Sequence, residues 1–433
     1  MSNDIEQAIT STYIRDLFPA LSGVGLVGSK SGWALFNNAA CSQTPHFLID
    51  REIEYVTLHN FNTGESSLLS KQTTEKLDSA RDVIKLWLNA GDEIVVLGQS
   101  ATLLVRLLAI AYGHILVPGD EIIVSTSNHE CNISPWLDLQ KQGVVIRFWE
   151  FTQDGYNCID NVTSLVNSRT KIVTFSNTSN LLGEVNNCKE LIQDIRAMNN
   201  SVVVVVDGAQ YVPHKCPNVQ DIDCNFYFFA SYKACAPGFG VLYGKRKDFD
   251  SIPGLGNRYQ DKSNYLKQFE IGGPFQAGNL FAFHGLTDYF NTILRQPIST
   301  VCTRDIIVRA YQVMEKFEQF LITKFIEFLL SKSCYRLFGP KTSSIKGRVG
   351  IISFQHSTIS PYKIEQVCSS NNLYVRQGHL QAYRICERLG IALDVGVVRV
   401  SFMHYNTVEE VDKLIGVLDR IEELAVDVPA SNS

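Results

Sequence analysis

An acidic residue and a basic residue each follow an apolar segment near the middle of the chain. Asp207 comes directly after the five valines at 202–206, and Lys233 is the third residue after the apolar segment 226–230. An uninterrupted run of valines predicts a strand that is buried on both faces, as in a parallel sheet covered by helices. Side chains at the carboxyl ends of such strands point into the crevice where these folds bind ligands. The sequence therefore predicts one site with a fixed negative charge and a fixed amine.

This pair of side chains is suited to pyridoxal phosphate chemistry. The lysine amine can form an imine with the cofactor aldehyde. The carboxylate can pair with the pyridinium nitrogen and keep the ring an electron sink. The spacing alone leaves a second interpretation open, in which Asp207 caps a helix and Lys233 is solvated.

Four short motifs around this pair favour the cofactor interpretation. Positions 207–210 read Asp-Gly-Ala-Gln, 231–233 read Ser-Tyr-Lys, 236–238 read Ala-Pro-Gly and 240–244 read Gly-Val-Leu-Tyr-Gly. In this order they resemble the class V aminotransferase family, in particular its cysteine desulfurase and selenocysteine lyase branch. The resemblance extends from about residue 37 to about residue 421.

The resemblance implies an α/β protein with the fold type I of pyridoxal phosphate-dependent transferases. A large cofactor-binding domain at 37–300 would hold a mainly parallel, doubly wound sheet, and a small C-terminal α/β domain would cover 301–433. Residues 1–36 would form an N-terminal arm that joins the small domain. The alternation of strands and helices also indicates a doubly wound sheet without the family.

Apolar periodicity predicts the elements of both domains. A Thr407-x-x-Glu410 capping box marks the start of the last helix. Helices are predicted at 71–88, 103–112, 305–331, 361–370 and 381–389, and strands at 93–97, 121–125, 349–354 and 397–402.

Two motifs are implied to contact the cofactor. The small polar loop 98–102 precedes an apolar helix, whose free N–H groups and dipole would face a phosphate, although an ordinary N-cap has the same sequence. Within it the resemblance places Gln99 and Ser100 at the phosphate. His129 begins His-x-x-Asn-x-x-Pro-Trp at 129–136, and the resemblance implies that it stacks on the pyridine ring. A lone histidine is otherwise more often structural.

The resemblance implies Lys233 and His129 as the catalytic residues. Lys233 would hold the cofactor and act as base or acid at the substrate α-carbon, and Asp207 would pair with the ring nitrogen. Arg399 would clamp the substrate carboxylate, which suits a bidentate guanidinium. A surface ion pair remains the alternative for each arginine, and an ordinary turn for residues 36–40. The other implied cofactor contacts are Gln99, Ser100, Asn180, Gln210, Tyr232 and Gly273, and the other implied substrate contacts are Asn38, Ala39, Asn180 and Arg376.

The sequence departs from the family at residue 381. Positions 376–382 read Arg-Gln-Gly-His-Leu-Gln-Ala, and Gln381 stands where the family's desulfurases have the cysteine that forms a persulfide. An amide cannot attack sulfur, so this departure argues against desulfuration by the family mechanism. Cys386, five residues further on, is expected to pack in the core.

Three further departures lie at the implied phosphate contacts. Ala230 replaces the family's serine, Tyr232 its histidine, and Gly273 the threonine that the other subunit of the dimer supplies. A tyrosine can still donate one hydrogen bond, and a glycine N–H can contact an oxygen. The phosphate anchor is therefore expected to be altered.

The composition limits the possible partners and compartment. The chain has 433 residues, 45% of them hydrophobic, and a formal net charge of −5, so it offers no basic surface for nucleic acid. Its eleven cysteines form no Cys-x-x-Cys pair and no metal-type cluster, which predicts reduced thiols, a cytoplasmic location and no metal. We expect no targeting peptide and no membrane span.

Two classes of function remain. The first is a homodimeric enzyme that uses pyridoxal phosphate on a small amino acid, by β-elimination as a C–S lyase, or by transamination or epimerisation, since all three begin with the same carbanion. The second is a non-catalytic relative that acts as a binding protein. Retention of Lys233, Asp207, His129 and Arg399 favours the enzyme, whereas the altered phosphate contacts favour the binding protein.

Overall fold

Strands from both halves of the chain form three sheets. The structure is a computed structural model that describes residues 13–22, 32–152, 155–157, 159–271, 277–344 and 346–427. The strands are β1 Ala34–Leu35, β2 Ile94–Gly98, β3 Glu121–Ser125, β4 Val145–Trp149, β5 Thr170–Ser176, β6 Val203–Asp207, β7 Phe226–Ala230, β8 Gly240–Gly244, β9 Tyr335–Phe338, β10 Ile351–His356, β11 Leu373–Tyr374, β12 Arg376–Gly378 and β13 Val397–Ser401.

Helices precede, connect and follow these strands. The α-helices are α1 Tyr13–Asp16, α2 His46–Glu54, α3 Leu68–Leu88, α4 Ala101–Gly113, α5 Ser134–Leu137, α6 Ile159–Thr163, α7 Cys188–Met198, α8 Val219–Ile222, α9 Arg246–Asp250, α10 Tyr265–Phe269, α11 Ala277–Phe281, α12 His284–Ile293, α13 Arg304–Ser331, α14 Pro361–Ser370, α15 Tyr383–Arg388, α16 Val408–Asp419 and α17 Ile421–Asp427. A π-helical turn covers Tyr55–His59, and 3-10 turns cover Glu130–Asn132, Asp138–Gln142 and Ser231–Lys233. None of the helices in the described ranges is long and apolar enough to cross a membrane.

The large sheet has the strand order β2-β8-β7-β6-β5-β3-β4. β8 is antiparallel to both of its neighbours, and the other pairs are parallel. In β6, Val204 and Val206 face one apolar cluster while Val205 faces a second cluster across the sheet. The predicted burial of the valine run on both faces is thus confirmed, as is the mainly parallel sheet.

The second half of the chain forms a smaller antiparallel sheet in the order β12-β13-β10-β9. The third sheet has only two described strands, β1 and β11, which pair in parallel. An isolated bridge joins Asn37 to Ser401. Earlier in the chain, Ile14 and Phe18 pack in an apolar cluster of the large sheet. The described part of the predicted arm therefore contacts both sheets, and the division into an arm and two domains stays a prediction.

One long helix connects the two apolar regions. Ile307 and Ala310 of α13 pack with the large sheet, whereas Phe325 and Leu329 pack with the small one. Thr303 caps this helix by accepting a hydrogen bond from the N–H of Ile306 at 3.4 Å. The packing of one rigid helix against both sheets fixes where the small sheet meets the site.

Most predicted elements are present with boundaries shifted by a few residues, but the helix predicted at 381–389 is shorter. It begins at Tyr383, because Leu380 and Gln381 have φ angles of 53° and 59°. A right-handed helix cannot include such left-handed residues. The capping box at Thr407 is confirmed.

Candidate active site

The carboxyl ends of β3, β5, β6 and β7 meet at one edge of the large sheet. A cavity of about 730 Å³ lies at this edge. The residues at or after the strand ends that line it include His129, Asn180, Asp207 and Lys233. The small sheet supplies Arg376 from β12 and Arg399 from β13. The structure therefore brings the two predicted catalytic residues together with the acid and both arginines.

Asp207 is the last residue of β6, and its side chain is buried. Its Oδ1 accepts a hydrogen bond from the backbone N–H of Ala209 at 2.9 Å. Burial raises the pKa of the carboxyl to about 6, although this N–H and the charge of Lys233 act in the opposite direction. No cationic side chain of the described ranges lies within ion-pair distance of it. A protonated ring nitrogen would complete its environment.

Lys233 ends the 3-10 turn after β7, and Ser42 holds this turn in place. The Ser42 hydroxyl donates to the carbonyl of Tyr232 at 2.9 Å and accepts from the N–H of Cys235 at 2.7 Å. Burial lowers the pKa of Lys233, and the nearby carboxylate partly offsets this. Its Nζ makes no hydrogen bond or ion pair with the described residues. The amine is therefore free to react and is biased towards its neutral form.

The imidazole of His129 is neutral. Its Nδ1 accepts a hydrogen bond from the N–H of Cys131 at 3.1 Å. Burial lowers the pKa of His129 to about 4, Lys233 and Arg399 act in the same direction, and a hydrogen bond with Gln381 acts against them. An uncharged ring at neutral pH suits a position against an aromatic cofactor.

The first turn of α4 bounds part of the cavity. Ser100, Ala101 and Thr102 line it, and Ser100 Oγ accepts a hydrogen bond from the N–H of Leu103 at 3.1 Å. A Cβ at Gly240 would collide with the backbone nitrogen of Ala101, so β8 can approach this turn only with glycine there. The free N–H groups and dipole of the thirteen-residue helix make this end of the cavity suitable for a phosphate.

Two amide side chains leave unpaired oxygens in the cavity lining. Gln210 Nε2 donates to the carbonyl of Ala39 at 2.9 Å, and Asn180 Nδ2 donates to the carbonyl of Leu380 at 2.8 Å. Gln210 Oε1 and Asn180 Oδ1 are buried with no hydrogen-bond partner among the described residues. A buried polar atom without a partner costs about 1–3 kcal/mol, so both oxygens call for a donor from a ligand.

Arg399 is buried without a carboxylate partner in the described part of the chain. Nη1 donates to the carbonyl of Asn180 at 2.9 Å and Nη2 to Asn37 Oδ1 at 3.1 Å, while Nε has no partner. Burial lowers the pKa of Arg399 to about 10, and Arg376 acts in the same direction. A buried guanidinium calls for a counter-ion, which an amino-acid carboxylate would supply.

Asn38 is not brought to the cavity. Its Nδ2 donates to the carbonyls of Leu35 and Ser401 at 3.0 and 2.8 Å, so the amide joins the first strand to β13. The neighbouring Asn37 lines the cavity instead, together with the predicted Ala39. The sequence motif located the correct segment but not which of its two asparagines faces the site.

The predicted phosphate contacts are only partly brought together. Gln99 is exposed and lies outside the cavity lining, where Thr102 is present and was not predicted. Thr102 could have been found as the second residue of the helix that follows the loop. Tyr232 lines the cavity and is 37% exposed. Gly273 lies outside the described residues.

Gln381, which stands where the family's desulfurases have the cysteine, lines the cavity and is hydrogen-bonded to His129. Its carbonyl accepts a hydrogen bond from the N–H of Glu130 at 3.2 Å, which ties the loop to the histidine segment. Cys386 is fully buried in a separate apolar cluster and does not line the cavity. The amide, not a thiol, is therefore what the 376–382 segment presents to the site.

Two cysteines near the site were missed by sequence reasoning. Cys131 lines the cavity, and burial raises the pKa of its thiol to about 12. Burial also raises the pKa of Cys41, although Lys233 lies close enough to act against it. Both could have been found from the sequence, because Cys131 is two residues after His129 and Cys41 is next to the predicted substrate segment.

These groups fit pyridoxal phosphate. The buried acid of Asp207, the unpaired amine of Lys233, the unpaired oxygen of Gln210 and the helix N-terminus at Ser100 match a cofactor with a ring nitrogen, an aldehyde, a ring hydroxyl and a phosphate. The described ranges contain no group of three or more histidine, cysteine or acidic side chains that could hold a metal ion.

Residues 34–414 match the family model of the class-V aminotransferases. An aminotransferase-like protein of Gibberella zeae is 30% identical over 94% of this chain and 97% of its own length. A cysteine desulfurase of Serratia proteamaculans is 29% identical over 90% of this chain and 94% of its own. The apo structure of the cysteine desulfurase from Thermococcus onnurineus has a TM-score of 0.81 at 25% identity, covering 95% of this chain and 98% of that one.

These similarities extend over nearly the whole chain, so they concern both sheets and the cavity between them. They confirm the predicted fold type I of pyridoxal phosphate enzymes and its cofactor. The chain belongs to the class-V aminotransferase family and is a pyridoxal phosphate-dependent enzyme.

Proposed function

We propose that this enzyme is a C–S lyase that removes a sulfur substituent from the β-carbon of a small amino acid by elimination. The observation that carries this proposal is the position of Gln381, which lines the cavity beside His129 where desulfuration would require a thiol. The similarity to proteins named cysteine desulfurases supports cleavage of a carbon–sulfur bond.

Elimination requires only groups that this cavity contains. When bound, pyridoxal phosphate supplies an electron sink for negative charge at the substrate α-carbon. Lys233, whose pKa is lowered by burial, takes the α-proton as a neutral amine. Arg399 holds the α-carboxylate, and Asp207 balances the charge of the ring nitrogen. The sulfur then leaves the β-carbon as a thiolate that carries the bonding electron pair.

None of the neighbouring cysteines offers a ready thiolate. Burial raises the pKa of the Cys131 thiol to about 12, which favours the protonated thiol at pH 7. Burial raises the pKa of Cys41 and raises that of Cys386 to about 11. At all three cysteines burial therefore disfavours the thiolate that a persulfide mechanism needs.

The products distinguish elimination from desulfuration. With L-cysteine, elimination and hydrolysis give pyruvate, ammonia and hydrogen sulfide in equal amounts, whereas desulfuration gives alanine and a protein persulfide. With S-carboxymethyl-L-cysteine, elimination gives pyruvate, ammonia and mercaptoacetate. We expect the elimination products from the holoenzyme, measured by chromatography with mass spectrometry.

Variants separate the roles of the lysine and the cysteines. Lys233→Ala should abolish product formation, because no other described amine reaches the site. Cys386→Ala should retain it, and alanine is chosen because a serine hydroxyl would lack a partner in that apolar cluster. Alanine formation with a persulfide on Cys41, Cys131 or Cys386 would overturn the proposal. A D-amino acid or a sulfur-containing keto acid as product would indicate an epimerase or an aminotransferase instead.

We also propose that the enzyme is a homodimer. Large apolar side chains are exposed between residues 53 and 69, including Val56 at 58%, Leu58 at 62% and Leu68 at 70%. Such a surface is typical of an interface that a second subunit covers.

A further inference from the structure

The charged side chains that line the cavity are unbalanced. Among the described residues of the lining, Lys233, Arg376 and Arg399 are cationic, and only Asp207 is anionic. The charge of Lys233 lowers the pKa of Asp207, so we count these two opposite charges as balancing each other. Two arginines remain that have no anion in the cavity lining.

The two arginines face each other across a pair of strands. Arg376 of β12 and Arg399 of β13 are direct partners in antiparallel register. Directly paired residues place their side chains on the same face of a sheet, and like charges at such positions are destabilising. The pKa of Arg399 shows this, since burial and then Arg376 both lower it. A lone carboxylate ligand would relieve only part of this repulsion.

Neither arginine forms an ion pair with a residue of the described ranges. Glu365 of α14 is close enough to Arg376 for the guanidinium to lower the pKa of the carboxyl, although burial raises this pKa more. Glu365 is hydrogen-bonded to Gln377 and stays outside ion-pair distance of the guanidinium. Arg376 is therefore an exposed cation at the cavity lining with a free donor edge, and the Gln381 amide lies on the same segment.

We propose that the substrate is a dianionic amino acid, with a second acidic group on its side chain that pairs with Arg376. This inference rests on the proposed function, in which Arg399 binds the α-carboxylate. When the α-carboxylate is bound to the buried Arg399, the exposed Arg376 remains to face the side chain of the substrate. A C–S lyase with this preference would release a thiol that carries an acid group.

The test compares substrate analogues that differ only in charge. S-carboxymethyl-L-cysteine and S-carbamoylmethyl-L-cysteine have the same shape, as do L-aspartate and L-asparagine. Binding to the holoenzyme is measured from the change in the cofactor absorption band, independently of turnover. In the unmodified enzyme we expect the acidic member of at least one pair to bind about tenfold more tightly than its amide.

Variants of Arg376 should change this preference without removing amino-acid binding. Arg376→Gln should weaken binding of the acidic member about tenfold and that of its amide less than twofold, and Arg376→Glu should reverse the preference. Arg336→Gln is the matched control, because Arg336 is an exposed arginine of the same sheet that lies outside the cavity lining.

The outcomes separate this inference from the proposed function. Equal binding within both pairs, or an unchanged preference in Arg376→Gln, would overturn the dianionic substrate while leaving amino-acid binding intact. If no amino acid changes the absorption band, the proposed function fails and the inference fails with it. Selective loss of binding of the acidic member in Arg376→Gln supports the dianionic substrate.

Discussion

At the scale of single residues, Asp207 is an acid that is buried without an ion-pair partner among the described residues. Its carboxyl is 4% exposed and has only the Ala209 N–H as a hydrogen-bond donor among the described residues. Burial raises its pKa from 3.8 to about 6. Burial therefore makes the ionised form destabilise the folded protein, and the charge of Lys233 offsets only part of this effect.

This pKa shift predicts a pH-dependent cost in the cofactor-free protein. Protonation of Asp207 is favoured by folding, so its contribution to stability is present below about pH 4 and is lost as the pH rises to about 6. Above pH 6 the charged side chain should cost about 3 kcal/mol, since each pKa unit corresponds to about 1.4 kcal/mol. Asp207→Asn should then be more stable than the unmodified protein at pH 7.

Urea unfolding of both cofactor-free proteins between pH 4 and pH 7 measures this difference. The difference in free energy of unfolding between the two proteins should vanish towards pH 4. At pH 7, added pyridoxal phosphate should make the unmodified protein the more stable one, because only the carboxylate can pair with the charged ring nitrogen. A difference that does not vary with pH would contradict this account of Asp207.

Asp207 and Lys233 could be predicted from the apolar strands that they follow. The histidine and the two arginines of the site could be predicted only from their motifs in the family that the sequence resembles. The sequence did not predict which of two adjacent polar residues faces the cavity. The Asn38 amide donates hydrogen bonds to backbone carbonyls of two strands, and these bonds exist only after the small sheet has formed. The same holds for Thr102, whose exposure to the cavity depends on how closely β8 packs.

At the scale of elements, strands were easier to predict than the loop that carries Gln381. The strands of the large sheet are buried on both faces, so they appear in the sequence as continuous apolar segments. The loop has left-handed residues at 380 and 381, which tertiary bonds hold in place. Asn180 donates to the carbonyl of Leu380, and the Glu130 N–H donates to that of Gln381. No local signal in the sequence reports such bonds.

The apolar surface formed by α2, the π-helical turn and the start of α3 predicts the oligomeric state. These segments form one unit, because Thr73 Oγ1 donates to the carbonyl of His59 at 3.2 Å. Leu68 and Leu69 at the start of α3 are 70% and 50% exposed. We expect a dimer by light scattering coupled to size exclusion.

Charges placed on this surface should dissociate the dimer. The double variant Leu68→Asp and Leu69→Asp should behave as a monomer, because two carboxylates cannot be buried without partners. Leu393→Asp, at another exposed apolar position, should leave the dimer intact. A monomeric unmodified protein, or a double variant that stays dimeric, would refute this interface.

At the scale of the whole molecule, the site depends on the junction between the two sheets. Glu318 in the middle of α13 accepts a hydrogen bond from His214 at 2.7 Å and lies 3.8 Å from His404, which follows β13. All three side chains are buried. This contact holds the strand of Arg399 against the sheet that carries Asp207, so Arg399 and Asp207 face the same cavity.

The two-sheet architecture could be predicted from the motif order, whereas the junction could not. His214, Glu318 and His404 lie far apart in the sequence and belong to no motif. In the sequence each is an isolated polar residue, and the three meet only when α13 packs against both sheets. Long-range buried pairs of this kind set the relative position of the sheets, and they are visible only in the structure.

We expect Lys233 to hold the cofactor opposite Asp207. The most direct measurement is to reduce the protein with borohydride after adding pyridoxal phosphate, and to map the labelled peptide by mass spectrometry. We predict that the visible absorption band disappears and that the pyridoxyl group is found on Lys233, with no label in Lys233→Ala. A label on another lysine, or a protein that binds no pyridoxal phosphate, would contradict the site described here.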